Sequence, residues 1–175
     1  NKQAVTGSID ARRRVNQIRL LEAASRKRGR IVKDVKADVD GTAKGKCLVL
    51  TGRKRDAEEL GRQITLACKD AQVWMAHGES DSVKRRQIQD DYMAHPGPCV
   101  LVGTVDAWGE SLNLQDTDVL SIAMLPYTPG KLDQVEGRVH RLGMSRPTLI
   151  RYYIAEQSID ERVASLILDK LPAVE

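Results

Sequence analysis

Three side chains stand where a helix would align them on one face. In the segment QVEGRVHRLG, Gln134, Arg138 and Arg141 occupy positions i, i+4 and i+7, which share one side of a helix. Leu132, Val135, Val139 and Leu142 fall on another side, about a third of a turn away. Such a helix anchors through its aliphatic stripe and projects two guanidiniums. These groups stay charged at any ordinary pH and present forked donors that match phosphate oxygens. Gly137 keeps the backbone beside them unobstructed. Taken alone, the pattern is more often that of two surface arginines paired with carboxylates. The other chemistry-bearing types offer less. His77, His95 and His140 have no companion ligands at metal spacing, and no metal site is expected. Cys47, Cys68 and Cys99 are odd in number, with no CxxC pair, so they read as buried, reduced thiols.

The elements that must position these residues follow from periodicity. Short apolar runs at Cys47–Thr51, Val73–Ala76, Cys99–Gly103, Val119–Met124 and Leu149–Ala155 have the length of buried strands. Helical patterns lie between them. One has Asp56 as cap, Glu59 as its capping-box partner, and Leu60, Ile64 and Ala67 on one face. A second spans Ser82–Ala94 with Ile88 and Tyr92 on one side, and a third starts near Pro129. A fourth opens at Ser158 with Glu161 completing its box, and buries Ile159, Val163, Leu166, Ile167 and Leu171. Alternating strands and helices predict an α/β fold with a mainly parallel sheet covered on both faces. Ligands in such folds sit outside the carboxyl ends of the strands. The loops at Thr51–Arg53, His77–Ser80, Gly103–Thr104 and Pro126–Pro129 should therefore share one edge.

Residues 1–43 read as a polar helical segment packing on this domain, with Ile9, Val15, Ile18 and Leu21 at helical spacing. The chain has 175 residues, 41% hydrophobic, and carries net charge +4. That is enough for one domain with a sizeable core, and it argues against disorder. Its apolar runs fall short of a membrane span, and the polar N-terminus carries no signal peptide. Arg12, Arg13, Arg14, Arg26, Lys27, Arg28, Arg30, Lys33 and Lys36 crowd the first segment. Such a run suits either a phosphate backbone or a solvated helix face. Asn1 in place of Met is the start expected of a fragment or a processed chain.

QVEGRVHRLG resembles motif VI of superfamily 2 helicases in its Swi/Snf-like form. The neighbouring segments are similar to the family in the same order. GKCLVLTGRKRDAEEL resembles motif IV, and MAHGESDSVKRRQIQDDY a Gly-Ser-rich loop and helix. GTVDAWGESLNLQDTDVL resembles motif V, with Thr104, Gly109, Asn113, Leu114 and Asp118 in register. LPYTPG resembles a Trp-Asn-Pro turn, and SIDERV the closing helix. The likeness covers about residues 44–170. It departs where Trp108 and Ser111 replace glycines, where Tyr127 and Thr128 replace Trp and Asn, and where Met144 replaces Gln. These departures resemble a divergent bacterial or phage member, or a branch near the annealing-helicase type.

The resemblance implies a three-layer RecA-like, P-loop-NTPase-like domain over residues 44–175, the second lobe of an ATP-dependent translocase acting on nucleic acid, duplex DNA favoured. It implies Arg141 as arginine finger, Arg138 as a second γ-phosphate contact and Gln134 as their positioner. Gly109, Asn113, Gly137 and His140 would bind or couple ATP, with packing in the helix the other role open to His140. Arg53, Ser80, Arg85, Thr104 and Tyr127 would meet nucleic acid. Trp108 would be a stacking platform or, more simply, a buried plug. No GxxxxGK[ST] loop or DExH box occurs in the sequence. ATP and Mg²⁺ would therefore be held mainly by a first lobe of the same polypeptide, and the isolated chain is expected to be inactive. The expected location is the cytoplasm of a bacterium or phage host, or a nucleus. A single-strand or RNA helicase lobe, and a non-catalytic phosphate-binding module, are the competing readings.

Overall fold

The computed structural model describes residues 2–78, 80–108, 114–139 and 147–169, with side chains from Arg14 onward. The elements run α1 (Lys2–Gly41), β1 (Lys46–Thr51), α2 (Lys54–Ala67), β2 (Gln72–Ala76), α3 (Ser82–Ala94), β3 (Cys99–Thr104), α4 (Val105–Trp108), β4 (Val119–Ile122), α5 (Pro129–Val139), β5 (Leu149–Tyr152) and α6 (Ile159–Leu168). The strands form one sheet in the order β2-β3-β1-β4-β5, and every pairing is parallel. This is the three-layer RecA-like α/β arrangement. No helix among the described residues is long and apolar enough to cross a membrane.

Strand alternation divides the core in two. Cys47, Val49, Val100, Val102 and Val119 face one side, under Ile31, Val35 and Val39 of α1 and Ala57, Leu60 and Ile64 of α2. Leu48, Leu50, Leu101, Leu120 and Ile122 face the other, under Ile88 and Tyr92 of α3, Trp108 of α4 and Val135 and Val139 of α5. The central strands are buried on both faces, which is why they are continuous apolar runs. Burial pushes the Cys99 thiol up to about 11 and Cys47 higher still. All three cysteines are free and buried.

Several sequence expectations change. In α1, Val15, Ile18 and Leu21 are exposed, and the buried stripe is Ala23, Lys27, Ile31, Val35 and Val39. Among the described side chains of α1, those buried against the lobe begin at Ala23, and this buried face includes a lysine. Asp56 does not cap α2. The N-cap position is Arg53, in extended backbone, and Asp56 lies in the first turn, where it accepts from Arg53 Nε at 2.7 Å. Glu59 instead takes Arg62 and Gln63, and these bonds pull its carboxyl down to about 2. Leu166 is exposed, whereas Val163 and Ile167 are buried. Ser158 does cap α6, accepting from Asp160 N–H at 3.1 Å.

β4 and β5 end earlier than their apolar runs. The carbonyls of Ala123 and Tyr153, just past those ends, accept from Lys27 Nζ at 2.6 and 3.1 Å. Lys27 also meets Asp160 at 2.6 Å, with both side chains 5% exposed. All three ammonium protons thus find acceptors from β4, β5 and α6, and α1 is pinned across the carboxyl edge of the sheet.

α4 is a single turn that periodicity does not signal. Thr104 Oγ1 caps it, accepting from Ala107 N–H at 3.3 Å. Trp108 turns into the core at 1% exposure, its Nε1 3.4 Å from the Ala76 carbonyl. A Cβ on Gly103 would lie 2.0 Å from that Nε1 and 2.5 Å from Ala76 O. Gly103→Ala is therefore expected to destabilise the lobe by about 1–3 kcal/mol through overpacking. The check is a lower urea midpoint at unchanged m-value.

Candidate functional site

All-parallel pairing gathers the strand-to-helix loops on one edge. α2 leaves β1 towards one face of the sheet and α5 leaves β4 towards the other. The chain therefore parts between the carboxyl ends of these two adjacent strands, which is where open α/β sheets make a crevice.

α5 springs from this point. Pro129 opens it, suited to a first turn where no N–H is needed, and Lys131 N–H donates to Thr128 O at 3.2 Å. Val135 and Val139 are buried, Leu132 is half-buried, and Gln134 and Gly137 are exposed, with Arg138 half-buried between. The two-faced helix expected from spacing is what forms over these residues. A Cβ on Gly137 would meet nothing within 4 Å, so packing within the lobe does not require glycine there.

Three ties hold α5. Leu114 N–H donates to Arg138 O at 3.2 Å, joining the motif V segment to the arginine helix. Lys131 pairs with Asp106 of α4 at 2.5 Å. Tyr152 of β5 donates its hydroxyl to Glu136. The helix is thus braced by the segments on both sides of it in sequence. Arg141 and His140, together with Gly109 and Asn113, lie outside the described residues.

The five residues assigned to nucleic acid fall on or near the carboxyl edge in different settings. Arg53 follows β1 and gives Nε to Asp56, while its Nη2 is buried without a hydrogen-bond partner among the described residues. Ser80 follows β2 and closes a turn, accepting from His77 N–H at 3.2 Å and donating its own N–H to His77 O at 2.8 Å. Arg85 reaches back from α3 to the Gly78 carbonyl at 3.2 Å. Ser80 and Arg85 therefore shape the same loop. Thr104 is 6% exposed and its hydroxyl is engaged at the start of α4. Tyr127 follows β4 and is 54% exposed, an aromatic of the type on which bases stack. Trp108 is not a stacking platform, because the core covers it.

Sequence reasoning missed two participants. His77, set aside for lack of metal partners, packs into the β2 loop with Nδ1 buried and without a hydrogen-bond partner among the described residues, and Nε2 is 3.9 Å from Glu58. Its place directly after an apolar strand was the available signal. Lys27 was counted only as one charge in a basic run, and a buried lysine leaves no trace in periodicity.

Comparison with known proteins adds an independent line. The helicase conserved C-terminal domain model matches residues 27–143, from the pinning lysine through the arginine helix. The SWI/SNF-related matrix-associated actin-dependent regulator of chromatin subfamily A-like protein 1 of Xenopus tropicalis is 30% identical over 114 residues, 65% of this chain and 12% of that protein. An ATP-dependent helicase of Bacillus subtilis, YqhH, is 35% identical over 72 residues, 41% of this chain and 13% of that protein. The chain thus spans only about an eighth of the length of these relatives. A crystal structure of the C-terminal part of the Fun30 ATPase domain superposes with TM-score 0.67 at 19% identity, covering 79% of this chain and 44% of that one. At that identity the likeness concerns the fold.

Proposed function

Because this chain belongs to the helicase conserved C-terminal domain family, in its superfamily 2 Swi/Snf-like form, we propose that it is the second motor lobe of an ATP-dependent translocase on duplex DNA. Residues 44–175 form the lobe and residues 1–43 a helical brace. One observation carries the reading. The face of exposed Gln134 and half-buried Arg138 stands on a helix whose Arg138 carbonyl is bonded by Leu114. A change of position at the arginines is thereby passed to the motif V segment, which follows the nucleic-acid edge.

The described face offers donors rather than carboxylates. Glu136, the one acid between Gln134 and Arg138, is occupied by Tyr152. It therefore fits phosphate oxygens and not a metal ion. Mg²⁺ bound with ATP on the first lobe would neutralise charge on the β- and γ-phosphates. On this lobe, Arg141 and Arg138 would meet the charge that develops on the γ-phosphoryl group, and Gln134 would orient them. Gly109, Asn113, Gly137 and His140 would couple that site to the strand. Arg53, Ser80, Arg85 and Tyr127 would hold the backbone without reading sequence, with Thr104 fixing the turn beneath them. Closure of the lobes on ATP and release after hydrolysis would step the protein along the strand, driven by contacts that differ between the two states.

The test is ATP turnover by the polypeptide carrying both lobes, with duplex DNA, single-stranded DNA, RNA or no nucleic acid. Stimulation strongest by duplex is the expected result. Stimulation only by single strands or RNA would make it a helicase of the other kind, and no turnover under any condition would leave a phosphate-binding module.

A further inference from the structure

The middle of α1, from Asn16 to Arg26, forms one wall of a groove of about 590 Å³, whose other walls are the loop after β4 and the start of α6. Arg19 and Arg26 of α1 and Arg162 of α6 line it, with Glu22 the one acid and Tyr127 among the lining residues. All three arginines are exposed, and none is ion-paired to another described residue. Three guanidiniums against one carboxylate make the groove attractive to anions. The α6 N-terminus does not supply the attraction, because Asp160 and Ser158 already answer it.

We infer that this groove holds a phosphodiester backbone, extending the nucleic-acid path from the β1–β2 end of the sheet edge across to β4, β5 and α1. The inference rests on the proposal that the lobe binds nucleic acid. Three features favour a nucleic-acid backbone over an acidic peptide. Tyr127 brings an exposed ring to a basic channel, the combination that suits a base or sugar beside a phosphate. The groove continues the edge on which Arg53, Ser80 and Arg85 lie. Arg19 and Arg26, seven residues apart, are separated by about 10 Å of helix axis, the rise of about three nucleotide steps in duplex DNA. Lys27 sets this geometry, since it fixes the angle at which α1 crosses α6.

The experiment is fluorescence anisotropy of a short labelled DNA duplex with the 175-residue chain, from about 50 to 200 mM salt. The wild type, the triple variant Arg19→Ala/Arg26→Ala/Arg162→Ala, the corresponding triple lysine variant and Arg85→Ala are compared. Equal melting temperatures establish folding, and surface changes of this kind leave it nearly untouched. The alanine triple should bind more weakly, with a log–log salt slope reduced by about 2 to 3, close to one per lost phosphate contact. The lysine triple should keep most of the slope. A wild-type slope in the alanine triple, with binding weakened in Arg85→Ala, would refute the groove and leave nucleic-acid binding standing. No binding by the wild type would remove both. Displacement of duplex by polyglutamate from the wild type, but not from the residual site of the alanine triple, would assign the groove to an acidic peptide instead.

Discussion

Arg141→Ala, in the polypeptide that carries both lobes, is expected to lower ATP turnover by about 10³-fold or more at saturating nucleic acid. Arg138→Ala should cost less, and Gln134→Ala less again. An arginine supplied from a second lobe meets negative charge only as the transition state forms, so its loss falls on turnover. Ground-state affinity for ATP should change far less. Nucleic-acid binding without nucleotide should be unchanged, because the arginine helix is separate from the loops at Arg53, Ser80 and Arg85. The proposed route between the two sites adds a second signature. If Leu114–Arg138 transmits the motion, Arg138→Ala keeps the backbone bond and should retain nucleic-acid stimulation of whatever turnover remains. Equal turnover in wild type and Arg141→Ala would remove the finger assignment.

Lys27→Ala should destabilise the lobe by about 3–5 kcal/mol, the usual cost of removing one partner from a buried ion pair. Lys27 is 6% exposed, and its ammonium satisfies two carbonyls and Asp160. Without it a carboxylate remains buried, with only the Ala155 N–H at 3.0 Å and Ser158-capped backbone beside it. Urea unfolding reads the loss. The double change Lys27→Met/Asp160→Leu should recover much of it, since well-packed apolar replacements of buried pairs are often neutral. A Lys27→Ala midpoint equal to wild type would mean that α1 is not pinned. Hydrogen exchange separates the local from the global effect, because detachment of α1 would expose the amides of residues 23–39 before those of β1 and β3.

The sheet was legible because its central strands are covered on both faces. Cys47–Leu50 and Cys99–Gly103 are apolar throughout, and short apolar runs between helical patterns suit buried parallel strands. α3 formed over Ser82–Ala94 as expected, with Asp81 accepting from Val83 N–H as its cap. The faces of α5 were legible for the same reason, since aliphatic and polar positions separate cleanly at 3.6 residues per turn.

What stayed hidden depended on tertiary partners. The buried face of α1 contains Lys27 and Asp38, and Asp38 meets Arg151 from the far end of the chain at 2.5 Å. A stripe mixing charges with Ile31 and Val35 scores as polar until its partners are known. The capping role of Thr104 was hidden because the turn it caps has no periodic signature in four residues. The arginine groove was out of reach altogether. Arg19 and Arg162 belong to the two ends of the chain, and only the crossing of α1 over α6 brings them together.

The central claim is that arginines of this lobe contact the phosphoryl group in transit on another. Binding of ADP with aluminium fluoride, which mimics that group at the transition state, tests it most directly in the two-lobe polypeptide. The account predicts tight binding by the wild type and a loss of about 10³-fold in the Arg138→Ala/Arg141→Ala variant, with ADP affinity nearly unchanged. Equal affinity for the analogue in both proteins would contradict it.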